Sequence, residues 1–117
     1  MLQIIGRNKD KNTRAAIRWV KERRIEFQFI DLDERSLAPK EWTSIFQSLD
    51  DKEDIIDKNS NYYKKNGYSW RDYDPLEEVK EHVELMVIPV LRNGMKAHVG
   101  WSESWVEENT SCSTIAP

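Results

Sequence analysis

A strand, a helix and a second strand follow one another within the first 30 residues. Residues 2–5 form a short apolar run, and the segment from Lys11 to about Arg24 places apolar side chains on one helical face. Ile25–Ile30 then alternates apolar and polar residues with the period of two that is typical of a strand. Such a βαβ unit is right-handed and joins parallel strands, so the sequence predicts an α/β fold.

The middle of the chain predicts helices. Pro39 fits the first turn of one helix, and Asp74–Pro75 is a capped start for another. Two short helices are expected between them, one at Ile55 and one at Tyr62 that ends near Gly67. A helical region therefore separates the second strand from the third.

The last third predicts a β-hairpin and a final helix. Asn93–Gly94 is a two-residue hairpin signal, because both turn positions favour positive φ. Ser102 can cap the helix that follows. Pro89 opens the third strand although proline donates no ladder hydrogen bond, and a cis peptide bond after Ile88 would explain its place there.

Size and charge narrow the classes of function. A chain of 117 residues, 38% hydrophobic and 33% charged, suggests one domain with one core. The net charge of −3 gives no general attraction to nucleic acid or to anionic membranes. The apolar start is too short for a signal peptide or a membrane span, so we expect a cytoplasmic protein. The basic run at the end of the first helix is interpreted as a solvated face.

Residues that bind metals or act as nucleophiles are scarce. The single cysteine, Cys112, lies in a polar tail without basic neighbours and is interpreted as an inert thiol. His82 and His98 stand without a cluster of other ligands, whereas zinc is normally held by three or four. We therefore expect no metal site.

Seven short segments, by their order and spacing, carry a family resemblance: Ile5–Gly6, Thr13–Trp19, Ile25–Phe27, Ile30–Leu32, Ile88–Val90, Asn93–Gly94 and Val99–Trp101. The chain resembles the thioredoxin fold and, more closely, the arsenate reductase-like family. That family includes glutaredoxin-dependent arsenate reductases and the Spx-type transcription regulators. The resemblance implies one thioredoxin-like domain over residues 1–108, with a mixed four-stranded sheet and an all-helical insertion between strands 2 and 3. Residues 109–117 are predicted to be a disordered tail.

The chain departs from this family at the active site that the resemblance implies. The nucleophilic cysteine of the family falls at Asp10, and the second cysteine of its redox pair falls at Thr13. One arginine that binds an oxyanion falls at Ile88, and another falls at or near Asp57. Thiol–disulfide exchange and arsenate reduction both need a thiolate, so the conventional chemistry of the family is expected to be absent.

Asp10 has two interpretations: a helix N-cap, which is favoured, or an acid–base group. The leading hypothesis is a non-redox binding or regulatory module with a protein partner. The alternative is an enzyme with altered chemistry or a glutathione site, because cis-proline edges in thioredoxin-like proteins bind extended peptides. The candidate ligand-binding residues are Pro89, Ile88 and Asn12, next to the degenerate pair Asp10 and Thr13.

The segment from Lys58 to Asp74 interleaves four tyrosines and Trp70 with four basic residues. The favoured interpretation is structural, with the rings filling space over the sheet. A protein contact surface is the second alternative, and binding of single-stranded nucleic acid is the third and least favoured.

Overall fold

A computed structural model describes residues 2–110 of the chain. Contacts divide these residues into two compact units, which are described separately below. The first unit contains residues 2–48 and 88–110, and the second contains residues 49–87. The single-domain boundary at residues 1–108 stays a prediction.

The first unit is built on a mixed four-stranded sheet with the order β2-β1-β3-β4. Strand β1 (Leu2–Gly6) runs parallel to β2 (Phe27–Asp31), and helix α1 (Lys11–Glu22) connects them. Strand β3 (Val90–Asn93) runs antiparallel to β1 and to β4 (Lys96–Val99). The predicted α/β, thioredoxin-like fold with helices between strands 2 and 3 is therefore confirmed.

One face of this sheet holds a hydrophobic cluster that helix α1 and the last helix cover. Helix α1 buries Ala16 and Val20 there, and the last helix, α5 (Glu103–Asn109), buries Val106. Burial of such apolar side chains is the main term that stabilises a fold of this size. The cluster consists of Leu2, Ile4, Ala16, Val20, Leu91 and Val106.

Helix α2 (Pro39–Gln47) contacts β3 and β4. Because successive side chains of a strand alternate between its faces, Val90 lies on the face opposite to Leu91. Val90 and its register partner Ile5 are both fully buried. The predicted start of α2 at Pro39 is confirmed.

Helix α1 ends earlier than predicted because the chain forms a left-handed C-cap. Arg24 has φ 56°, and its N–H donates to the Lys21 carbonyl at 3.1 Å. The N–H of Ile25 donates back to the Val20 carbonyl at 3.0 Å, which completes a Schellman motif. The motif uses Ile25 to end the helix, so β2 starts at Phe27 and not at Ile25.

The predicted β-hairpin forms, but its turn is one residue later than expected. Asn93 pairs with Lys96, so the two turn residues are Gly94 and Met95. Gly94 has φ 64°, whereas neither Asn93 nor Met95 has positive φ. Positive φ at the first turn position alone is the pattern of a type II′ turn, in which glycine is preferred there.

The second unit consists of short helices. They are α3 (Asn61–Lys65), α4 (Pro75–Glu81) and 3₁₀ turns at Lys52–Ile55, Tyr68–Trp70 and Val83–Leu85. Gly67 follows α3 with φ 66°, as its position after the helix predicted. An isolated antiparallel bridge pairs Ile56 with Met86.

The structure also bears on the predicted tail. Asn109 ends helix α5, so it does not belong to the tail, and the Thr110 hydroxyl donates to the Val106 carbonyl at 2.8 Å. Residues 111–117, including Cys112, lie outside the residues that the structure describes. No helix of residues 2–110 is long and apolar enough to cross a membrane.

Candidate functional site

Asp10 is the N-cap of α1, at the end of the loop that follows β1. Its Oδ2 accepts hydrogen bonds from the Thr13 N–H at 2.7 Å and from the Thr13 hydroxyl at 2.9 Å. The predicted capping role of Asp10 is confirmed. The two positions that the resemblance matches to a redox pair are therefore hydrogen-bonded to each other.

Thr13 is fully buried and packs against the end of β1. A Cβ atom on Gly6 would lie 2.3 Å from Thr13 Oγ1 and 2.8 Å from its Cγ2. Real Cβ atoms do not approach so closely, so glycine at position 6 allows the threonine to fill this corner. Thr13 is therefore held in this corner by packing against Gly6 as well as by its hydrogen bonds to Asp10.

Pro89 lies at the same end of the two central strands as this corner. In the antiparallel register Ile5 pairs with Val90, which places Gly6 and Pro89 at matching ends of β1 and β3. Pro89 is buried, the Ile88–Pro89 peptide bond is cis, and the Pro89 carbonyl accepts the Gly100 N–H at 3.0 Å. The carbonyl thereby continues the pairing of β3 with β4 beyond the strand ends.

Ile88 is half-buried, and no hydrogen bond among the described residues uses its backbone N–H or carbonyl. Asn12 is exposed in the first turn of α1. No hydrogen bond or ion pair within residues 2–110 joins Asp10 or Asn12 to Ile88 or Pro89. The topology thus brings the Gly6 corner and Pro89 to the same end of the sheet. Among the candidate residues, only Asp10 and Thr13 are joined by a hydrogen bond within residues 2–110.

An ion pair beside the corner was not predicted. The Arg7 guanidinium contacts Asp33 Oδ1 through Nη2 at 2.8 Å and Nε at 3.0 Å. Asp31 holds the loop after β2 in place, because its Oδ1 accepts the Asp33 N–H at 2.9 Å. The two partners are 26 residues apart, and only the pairing of β1 with β2 brings their loops together.

A buried carboxylate at the start of α2 was also missed. Glu41 is 7% exposed, and Arg35 donates to its two oxygens at 3.1 and 3.0 Å. Glu41 Oε1 also accepts the Ala38 N–H at 2.7 Å, which is the glutamate half of a capping box, and the Glu41 N–H donates to the Ala38 backbone carbonyl at 2.9 Å because alanine has no side-chain acceptor. The hydrogen bonds from Arg35 hold the pKa of Glu41 below its usual range, against the opposing effect of burial. A proline-started helix with glutamate at its third position was the available signal.

The tyrosines of the segment 58–74 form a cluster within the second unit. Tyr63 stacks on Tyr68 at a centroid distance of 5.8 Å, and Tyr73 meets Tyr68 edge-on at 5.0 Å. Tyr62 stacks on His82 at 5.0 Å. These are ring contacts of the kind that stabilise a core, so the packing favours a structural role within the second unit, and the predicted packing over the sheet stays a prediction.

Two hydroxyl groups of this cluster also have carboxylate partners inside the unit. The Tyr68 hydroxyl donates to Glu78 at 3.0 Å, and the Tyr73 hydroxyl donates to Glu53 at 3.2 Å. Burial, with the bond to Glu78, raises the pKa of Tyr68 to about 12. Arg71 lies over the Tyr68 ring at 4.1 Å. The four tyrosines and Arg71 thus all make contacts within the unit, whereas the Trp70 side chain is 90% exposed.

The remaining candidate residues are the possible metal ligands and Asp57. No group of three or more histidine, cysteine, aspartate or glutamate residues within residues 2–110 could hold a metal ion. His98 Nδ1 lies 3.0 Å from the Gly100 carbonyl oxygen, which explains its position without a ligand. The resemblance matches a family arginine to a position at or near Asp57, and the Asp57 side chain accepts the Asn59 N–H through Oδ1 at 3.0 Å.

Comparisons with known proteins support the fold. No family model matches the chain, and no curated protein sequence matches it. An arsenate reductase from Vibrio cholerae is similar in structure, with a TM-score of 0.74, 19% identity, and coverage of 92% of this chain and 96% of that one. An arsenate reductase-related protein from Brucella melitensis gives a TM-score of 0.65 at 20% identity, covering 92% of each chain. The protein YFFB (PA3664) gives 0.79 at 14% identity, covering 95% and 100%.

The chain has the fold of these three proteins. The alignments span nearly the whole of each partner, so the helical region between strands 2 and 3 belongs to the shared architecture. The identities, all at or below 20%, place the likeness at the level of the fold.

Proposed function

We propose that this protein is a non-redox member of the arsenate reductase-like family that works as a binding or regulatory module. The observation that carries the proposal is the bond of Asp10 Oδ2 to both donors of Thr13. A carboxylate cannot form a mixed disulfide, and here it already satisfies the first turn of α1. Asp10 also adds negative charge where an arsenate or phosphate anion would dock.

Two redox assays test this proposal. We expect the purified protein to reduce neither arsenate, in the presence of glutathione and glutaredoxin, nor a glutathione mixed disulfide. A rate above that of the no-protein blank would overturn the proposal. The Cys112→Ser variant is the control, because it removes the one thiol of the chain and shows whether any residual rate comes from that residue.

A second candidate function is binding of glutathione or a similar extended peptide beside Pro89. The backbone N–H and carbonyl of Ile88, which form no hydrogen bond with residues 2–110, favour it, since an extended peptide could form main-chain hydrogen bonds there. Titration with millimolar glutathione should then shift the amide resonances of Ile88 and Val90. S-methylglutathione should give the same shifts, because the proposed contacts do not involve the thiol. Unchanged spectra with both ligands would exclude this site.

A further inference from the structure

Four cations form a continuous stripe on the outer face of α1. Lys11, Arg14, Arg18 and Lys21 follow the spacing i, i+3, i+7, i+10, which places them on one side of a helix. All four side chains are exposed. With a rise of 1.5 Å per residue, the stripe is about 15 Å long.

None of these four cations has an ion-pair partner among residues 2–110. The acidic residues nearest in sequence do not neutralise them. Asp10 is bonded to Thr13, and Glu22 forms no ion pair with Arg18 although it lies one turn away. By contrast, Arg7, Arg35 and Arg71 of the same chain all have carboxylate partners. The stripe therefore groups four cations that have no ion pair within residues 2–110 along one helix face, in a protein with a net charge of −3.

We propose that this stripe is the docking surface for an acidic helical segment of another protein. Carboxylates at helical spacing on a partner lie about 5–6 Å apart, which matches the separation of these cations. Arg14 and Arg18, at the centre, can each take a carboxylate in a bidentate hydrogen bond. Ala15, exposed beside them, leaves room for a second helix to approach. This inference does not depend on what the Asp10 corner binds.

The surroundings of the stripe argue against the other polyanions. Trp19, the aromatic residue of α1, meets Trp101 edge-on at 5.3 Å and is covered by Arg23 at 3.9 Å, so it offers no free face for a base. The exposed large hydrophobic residues of the described chain are Trp70 and Met95, and neither lies on α1. Membrane-bound helices normally insert apolar side chains, and those of α1 are used in the core.

Fluorescence anisotropy with a labelled acidic helical peptide, with glutamate at every fourth position, tests the proposal. We expect the wild-type protein to bind this peptide at about 50 mM salt and to release it at about 0.5 M, where charges are strongly screened. Arg14→Glu/Arg18→Glu should weaken binding by about tenfold or more, because it replaces two attractive contacts with repulsive ones. Circular dichroism checks that the variant remains folded.

The matched control is Lys40→Glu/Lys96→Glu, which changes the net charge by the same amount at exposed positions outside α1. It should change binding by less than about twofold, since binding through the stripe depends on local charge more than on net charge. Equal losses in both variants, or unchanged binding in the α1 variant, would overturn the proposal.

Three further measurements test whether nucleic acid, a membrane or a second copy of the chain binds the stripe instead of an acidic helix. Stripe-dependent binding of a uridine oligonucleotide, or of phosphatidylserine vesicles, without binding of the acidic peptide would reassign the surface to that ligand and overturn the proposal. Sedimentation of the protein alone tests a second copy of the chain as the occupant. A concentration-dependent dimer that the α1 substitutions abolish would also overturn it.

Discussion

The helices α1 and α2 of the first unit both begin with a carboxylate that accepts a backbone N–H, but the two carboxylates have different surroundings. Asp10 caps α1 from outside the helix and has Thr13 as its partner. Glu41 caps α2 from inside the first turn, is nearly buried, and is held by the Arg35 guanidinium. The first is a local arrangement of neutral donors, whereas the second includes an ion pair.

The difference shows that the position of a carboxylate in the fold and its chemical environment are separate properties. Asp10 lies at the position that the family resemblance matches to a nucleophilic cysteine, yet its contacts are those of an ordinary cap. Glu41 has the shifted pKa that is often taken as a sign of a functional site, yet its contacts explain the shift structurally. We infer that neither feature alone identifies an active site here. Substitutions at the two helix starts test this comparison.

The largest effect is expected from Gly6→Ala, because the new Cβ would overlap the buried Thr13 side chain. Overpacking of this kind should lower the free energy of unfolding by about 2–3 kcal/mol, measured by urea denaturation. The matched variant is Gly6→Ala/Thr13→Ala, which removes the two atoms closest to the added methyl group. It should be less destabilised than the sum of the single variants. Strict additivity would show that the two side chains do not share this corner.

Glu41→Gln should have the next largest effect. Glutamine can still accept the Ala38 N–H, but it loses the charge that faces Arg35. Hydrogen bonds to charged groups contribute about 1.5–3 kcal/mol, and the half-exposed Arg35 side chain reduces that, so we expect a loss of about 1.5 kcal/mol. Arg35→Gln is the matched partner. The double variant should cost little more than either single one, and fully additive losses would argue against the pair.

The same pair predicts a pH dependence. The pKa of Glu41 is lowered in the folded protein, so its ionised form contributes stability above the unfolded-state value of about 4.5. That contribution should disappear as the pH falls from about 4.5 through the lower folded-state pKa. Urea denaturation of the wild-type protein and Glu41→Gln should therefore give a stability difference that is constant near neutral pH and shrinks in acid. A difference that grows in acid would contradict the assignment.

Features of the fold and of the candidate site that depend on residues close together in the sequence could be predicted, whereas contacts between residues far apart in the sequence could not. The order of elements and the capping role of Asp10 follow from short patterns, and the structure agrees with both. The turn at Gly94–Met95 was displaced because the pairing of Asn93 with Lys96 in the sheet decides which residues turn. Ion pairs such as that of Arg7 and Asp33 join loops that only the folded sheet brings together.

Asp10→Ala tests the other helix start and should cost about 1 kcal/mol. Alanine leaves the Thr13 N–H and its buried hydroxyl without their acceptor. The loss should be smaller than that of Glu41→Gln, because Asp10 has no cationic partner within residues 2–110 and its half-buried side chain is partly accessible to water. Urea denaturation of the two variants under the same conditions makes the comparison. A larger loss at Asp10 would reverse the ranking of the two carboxylates.

The smallest effect is expected from Asp10→Asn. Asparagine ranks with aspartate as an N-cap, so its side-chain oxygen can still accept the Thr13 N–H. Only the favourable interaction of the charge with the helix dipole is lost, which amounts to about 0.3–1 kcal/mol at an exposed site. Stability close to that of the wild-type protein, with unchanged ligand or partner binding, is the result that a capping role predicts. If binding fell in Asp10→Asn while stability did not, the Asp10 carboxylate would have a function that its contacts within the fold do not explain.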